Sequence, residues 1–271
     1  MNRRDFIRTT SILPAAALMP QLISQAFAAT DKWRVFEVTT KVGVIKAAGA
    51  TRVWLPLPFA TDTGYQKNLG STWTVEGGTA SVAVDRKYGA EMLVFEATET
   101  GKVPAVQVTS RFATRDRAVD LSKPGAAPKA DRAELQLALA PTELMPTDGI
   151  VRDTAREITK NVRGGEVEKA RAIYEWIVEN TYRDPKTRGC GVGDIKYMLE
   201  SKNLGGKCAD LNALFVGLAR AAGIPARDLY GVRVAKSEYG YRSLGVGTDN
   251  ITRAQHCRAE FYSAAYGWVP V

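Results

Sequence analysis

From Trp33 to about Arg115 the chain alternates in polarity. Phe36, Val38 and Thr40 interleave with Glu37, Thr39 and Lys41, the period of two that marks a half-buried strand. Val53-Trp54-Leu55, Leu93-Val94-Phe95 and Val106-Gln107-Val108 are further β-rich runs, separated by turn signals at Gly77-Gly78 and Tyr88-Gly89. No helical stripe interrupts them. Short strands with regular turns predict a β-sandwich over residues 30–120. Trp33, Trp54 and Trp73 are expected in its core or at a domain interface.

Ser122 to Pro128 carries Pro, Gly and Ala without an apolar period, and residues 121–131 read as a linker. The period then changes to that of a helix. Ile150 to Val162 and Glu166 to Val178 are predicted helices, the second with a stripe of Ala170, Ile173, Tyr174 and Ile177 beside Trp176. Asp194 can cap a short helix bearing Ile195, Met198 and Leu199. The clearest stripe is Leu211, Leu214, Phe215, Leu218 and Ala222, ended by Gly223 and Pro225. Leu229 to Val234, Cys257 to Tyr262 and Tyr266 to Val271 read as strands. Helices followed by strands make residues 132–271 an α+β domain.

The first residues fit neither domain. Arg3-Arg4-Asp5-Phe6-Ile7-Arg8 precedes a weakly apolar stretch from Ser11 to Ile23, and Ala26-Phe27-Ala28 offers a cleavage site. The paired arginines resemble a bacterial twin-arginine signal, so residues 1–28 are expected to be a removed export signal and the protein periplasmic or secreted. With the signal gone, no integral membrane span is expected. The whole chain of 271 residues carries a formal charge of +8, but its 37 basic residues are scattered among 29 acids. Diffuse charge of this kind specifies no nucleic-acid site, and no nucleic-acid partner is expected.

Chemistry concentrates in Gly205-Gly206-Lys207-Cys208-Ala209-Asp210-Leu211, which puts a cysteine in the first turn of the clearest helix. Helix N-termini carry partial positive charge and unpaired N–H groups, which stabilise a thiolate and can donate to an oxyanion. The two glycines allow a sharp turn and close backbone approach. Cys208 equally suits a small buried apolar position, and Lys207 is expected to be solvated. A thiol enzyme needs a base, and the one imidazole in the chain is His256. Strand alternation puts His256, Arg258, Glu260 and Tyr262 on one face and Cys257, Ala259 and Phe261 on the other.

Gly-Gly-Lys-Cys-Ala-Asp-Leu-Asn, with the Leu-Phe-Val-Gly-Leu-Ala-Arg run after it, resembles the nucleophile helix of the bacterial transglutaminase-like superfamily. Gln255-His256-Cys257-Arg258-Ala259-Glu260-Phe261-Tyr262 through Gly267-Trp268-Val269-Pro270-Val271 resembles its histidine strand and the strand after it. The resemblance covers about residues 150–271 and implies a papain-like fold, Cys208 as nucleophile and His256 as general base. It also implies an aspartate directly after the last strand to orient the imidazole. The sequence stops at Val271, and neither Asp249 nor Glu260 occupies that position, so a truncated record is expected.

In an oxidising compartment the remaining thiols are expected to pair as a Cys190–Cys257 disulfide, leaving Cys208 free. A Cys3His zinc site is set aside because no Cys-x-x-Cys pair exists, and no metal is assigned. No cofactor is expected either: Gly245-Val246-Gly247 lacks the third glycine of a dinucleotide fingerprint. It falls instead in a loop from Tyr239 to Asp249 that could gate substrate. Tyr182 is a possible oxyanion donor, and Trp268 is expected to pack, with walling the active site as the alternative.

These residues predict an exported thiol enzyme acting on peptide or amide bonds of a peptide or protein substrate. Hydrolysis is favoured over cross-linking because water is the abundant acceptor. The alternative is a non-catalytic binding or scaffolding module that retains the fold.

Overall fold

The structure, a computed structural model, describes residues 32–45, 49–97, 103–125, 130–236 and 245–271. The export signal expected over residues 1–28 lies outside the described residues. The chain divides between Ala118 and Val119 into two compact units.

The first unit is built from β1 (Arg34–Gly43), β2 (Thr51–Pro56), β3 (Gln66–Glu76), β4 (Gly78–Val84), β5 (Glu91–Ala97) and β6 (Ala105–Thr114). They form two antiparallel three-stranded sheets, ordered β1-β6-β3 and β2-β5-β4. Leu55, Leu93 and Phe95 of one sheet and Val106 and Val108 of the other are buried in one apolar cluster, the expected sandwich. Gly78 is needed where β4 crosses β5: a Cβ there would lie 2.3 Å from the Glu96 carbonyl oxygen. The expectation of core tryptophans fails here. Trp54 is 53% exposed, because it points away from the face shared by Val53 and Leu55, and Trp73 is 40% exposed. Trp33 is half-buried between the cations of Lys67 and Arg115, 4.7 and 5.0 Å from its ring.

The second unit begins with α1 (Arg132–Leu139), α2 (Gly149–Thr159) and α3 (Glu166–Asn180). There follow β7 (Tyr182–Arg183), α4 (Ile195–Ser201), β8 (Gly205–Gly206) and α5 (Cys208–Ala221), then β9 (Ala226–Val232), β10 (Gln255–Ser263) and β11 (Gly267–Pro270). The last three strands form an antiparallel sheet ordered β11-β10-β9. Helix α5 packs on β10 and β9 and is covered by α2 and α3. Val151, Ile173, Ile195, Leu214 and Leu218 are wholly buried around it. Phe215 meets Phe261 with ring centroids 6.4 Å apart, so the strand face carrying Cys257, Ala259 and Phe261 is the core face. The architecture is α+β, as the sequence predicts.

Three local expectations change. Helix α1 was not foreseen; Asp131 caps it, its carboxylate accepting from the Ala133 N–H at 3.4 Å. Strand β9 starts at Ala226 rather than Leu229, because Ala226 pairs with Phe261. Tyr174 is exposed, while Ala170, Ile173 and Ile177 turn inward and Trp176 packs against the core. Gly223, with φ of +80°, ends α5 as expected. Of the expected linker, Leu121 and Gly125 attach to the second unit. The Tyr266 hydroxyl donates to the Leu121 carbonyl at 2.9 Å, and the Gly125 N–H to the Ala265 carbonyl at 3.1 Å. Residues 126–129 lie outside the described residues. Among the described residues no helix is long and apolar enough to cross a membrane.

Candidate active site

The chain reaches Cys208 through a close-packed approach. β8 pairs in parallel with β7, Tyr182 opposite Gly205 and Arg183 opposite Gly206. A Cβ at Gly205 would lie 2.4 Å from the Tyr182 ring, and one at Gly206 2.5 Å from Asp210, so both glycines are required by proximity. The organising residue is Asp210, buried at the third helical position. Its Oδ2 accepts from the Lys207 N–H at 3.0 Å, and its Oδ1 from the N–H groups of Val192 and Gly193, each at 2.9 Å. The Ala209 N–H donates to the Cys190 carbonyl at 2.9 Å. Together these bonds hold the 190–193 loop against the start of α5. Gly191 has φ of +104°, and a Cβ there would lie 1.9 Å from Asp210 Oδ2.

On the other side, Asn212 ties α5 to β10. Its Nδ2 donates to the carbonyls of Cys208 at 2.7 Å and Cys257 at 3.2 Å. The result is a triangle of thiols: the sulfurs of Cys190, Cys208 and Cys257 all lie within 4.8 Å of one another. All three are free. Cys190 and Cys257, the pair expected to bridge, are thus brought together, with Cys208 within the same reach as a third sulfur rather than set apart.

Burial pushes the Cys208 thiol up, but the Cys257 N–H and the thiols of Cys190 and Cys257 donate toward its sulfur, and the net shift is down. Cys190 and Cys257 are pushed up, first by burial and then by the neighbouring Cys208. The cluster therefore concentrates thiolate character on Cys208. His256 is half-buried and pairs across the sheet with Gly231. Burial, and then the charges of Arg233, Arg258 and Arg183, hold its imidazole below the usual histidine range. Strand alternation sets His256 on the face opposite Cys257, and among the described residues its ring has no hydrogen bond or ion pair. The structure thus brings the strand position of His256 beside Cys208, the direct sulfur contact being made by Cys257.

A sequence model of the transglutaminase-like superfamily matches residues 152–271. Residues 152–271 belong to that superfamily. The chain is also 37% identical over 239 residues to an uncharacterised protein of Haemophilus influenzae, a match taking in 82% of this chain and 63% of that protein. It therefore spans less than two thirds of that relative's length. Among solved structures, a candidate cysteine protease of Cytophaga hutchinsonii superposes with a TM-score of 0.62 at 16% identity, over 88% of this chain and 78% of that one. The periplasmic domain of TgpA from Pseudomonas aeruginosa gives 0.47 at 15% identity, over 83% and 70%.

Within the transglutaminase-like unit, the other residues marked in the sequence have structural occupations. The Tyr182 hydroxyl donates to Asn203 Oδ1 at 3.1 Å instead of facing Cys208. Lys207, expected in solvent, donates from Nζ to the Thr187 carbonyl at 2.5 Å. Trp268 packs, as expected: its indole N–H donates to Glu134 at 3.1 Å, and the Arg227 guanidinium lies 3.9 Å from its ring centroid. Glu260 accepts from Arg227 Nε and Nη2 at 3.1 and 3.0 Å. Asp249 is exposed. Of the loop expected over residues 239–249, the stretch to residue 244 lies outside the described residues; beyond it, the Val246 N–H donates to the Ala235 carbonyl at 2.8 Å. Asp210 and Asn212 were not singled out in the sequence. The one available signal was an acid three residues into a helix that follows Gly-Gly.

Proposed function

We propose that the chain is an exported cysteine enzyme that opens peptide or amide bonds through a thioester on Cys208. The observation that carries this reading is the seating of Cys208 in the first turn of α5, against the strand that bears His256. His256 takes the proton of the Cys208 thiol as the sulfur attacks the carbonyl carbon and forms the S–C bond. The C–N bond breaks, and the amine leaves with a proton supplied by His256. Water then adds to the thioester, His256 takes its proton, and that proton returns to the Cys208 sulfur as the acid departs. An amine in place of water would give cross-linking; hydrolysis is the reading preferred, because water is always present. His256 must turn toward the sulfur during this cycle, and Gly231 opposite it offers no side chain to obstruct the ring.

The test is alkylation of Cys208 by iodoacetamide at one fixed pH, with chelator present, followed by peptide mass spectrometry. Replacing His256→Ala in the folded chain is expected to slow alkylation about 100-fold, at the low end of general-base contributions. The parent, but not Cys208→Ala, is expected to release amine from peptide amides. An unreactive Cys208, or one indifferent to His256, would instead support a binding module.

A further inference from the structure

The proposed hydrolysis uses one sulfur, and the structure supplies three. Cys190 comes from the loop before α4, Cys208 from the first turn of α5 and Cys257 from β10, with all three sulfurs within 4.8 Å. Their positions are fixed by bonds that involve no sulfur. The Ala209 N–H holds the Cys190 carbonyl, the Asp210 carboxylate holds Val192 and Gly193, and the Asn212 amide spans the carbonyls of Cys208 and Cys257. Cys257 is 2% exposed, and the other two are half-buried. A zinc ion at about 2.3 Å from each of three sulfurs sets them about 4 Å apart. The triangle closes onto that spacing with shifts of under about 1 Å per pair, within reach of small χ1 changes.

We propose that Cys190, Cys208 and Cys257 form a three-thiolate binding site for zinc. Coordination forms three S–Zn bonds and releases the thiol protons to solvent; no electron is transferred. The absence of a Cys-x-x-Cys pair is no obstacle, because each ligand comes from a different element. His256, on the opposite strand face, is not a ligand, and the fourth position of the ion stays open to water. Zinc and alkylation then compete for Cys208, so the metal acts as a reversible cap on the nucleophile. The site rests on the positions of the sulfurs and not on hydrolysis, so a chain that cleaves no amide would still bind the ion.

The experiment uses the full chain, reduced, stripped with chelator and titrated with cadmium, whose thiolate charge-transfer absorbance counts bound sulfurs. Zinc affinity is read in parallel by competition with a coloured chelator. One ion per chain with three thiolates is expected, and zinc should protect all three thiols from alkylation until chelator is added. Cys190→Ser and Cys257→Ser should each drop the count to two and weaken zinc binding at least about tenfold, the smallest loss typical of removing even an outer-shell partner. Circular dichroism establishes folding first; if buried Cys257→Ser does not fold, Cys190→Ser in its half-buried loop carries the test. Three outcomes overturn the proposal: no saturable binding of one ion, an absorbance unchanged by Cys190→Ser, or a Cys190–Cys257 disulfide that persists in the folded chain under mild reductant.

Discussion

A single carboxylate sets the geometry around the thiols. Asp210 accepts three backbone N–H groups, two from the loop that delivers Cys190 and one from Lys207, the residue just before α5. Replacing Asp210→Ala strands those donors and is expected to cost about 3 kcal/mol or more in urea-induced unfolding of the second unit. Asp210→Asn should not restore it, because an amide turns hydrogen toward groups that need an acceptor. Gly191→Ala strikes the same carboxylate from the other side, and its φ of +104° is already unsuited to alanine. It is expected to lower the melting temperature and to disperse the thiol cluster, read as loss of zinc protection against alkylation. At this scale the sequence made Cys208 and His256 legible, one as a helix-start cysteine after two glycines, the other as the sole imidazole. It hid Asp210, because an acid in the first helical turn is commonplace and its partners are loop amides eighteen residues away.

At the scale of elements, α5 is the part of the second unit that α2, α3, β9 and β10 cover. Leu214 and Leu218 are wholly buried on it, and Leu214→Ala is expected to cost about 3–5 kcal/mol by equilibrium unfolding. Asn212→Ala separates packing from registration, since it removes two bonds to carbonyls of α5 and β10 while leaving the apolar stripe intact. The expected cost is about 2 kcal/mol, with a further drop in thiol protection by zinc that Leu214→Ala, corrected for its unfolded fraction, does not share. The stripe of α5 and its glycine stop were readable, because periodicity and caps are local. Helix α1 leaves little trace in the sequence because its apolar period is weak and it packs by pairing Glu134 with Arg227 and Trp268. The alternation of β10 is legible in the sequence, yet the meeting of Cys257 with Cys208 depends on how far α5 lies over the strand, and no local pattern encodes that.

At the scale of the whole molecule, the described residues hold two apolar cores, one around Leu93 and Phe95 and one around Ile173 and Leu214. Phe95→Ala is expected to cost the sandwich about 3–5 kcal/mol while leaving the alkylation rate of Cys208 unchanged. A matched fall in alkylation would show instead that the two units unfold as one. The three cysteines lie in the second unit but on distant parts of its chain, and this convergence bears on how the protein is made. Before β10 docks, Cys190, Cys208 and Cys257 are independent thiols on a coil, each open to oxidants and to any partner that diffuses past. Contacts between distant segments form late, so the order of folding and oxidation decides which product is reached. Refolding from urea under reducing conditions should give one species with three free thiols. Oxidation before refolding should give a mixture of bridged chains, within and between molecules, because the fold is what introduces these three sulfurs to one another.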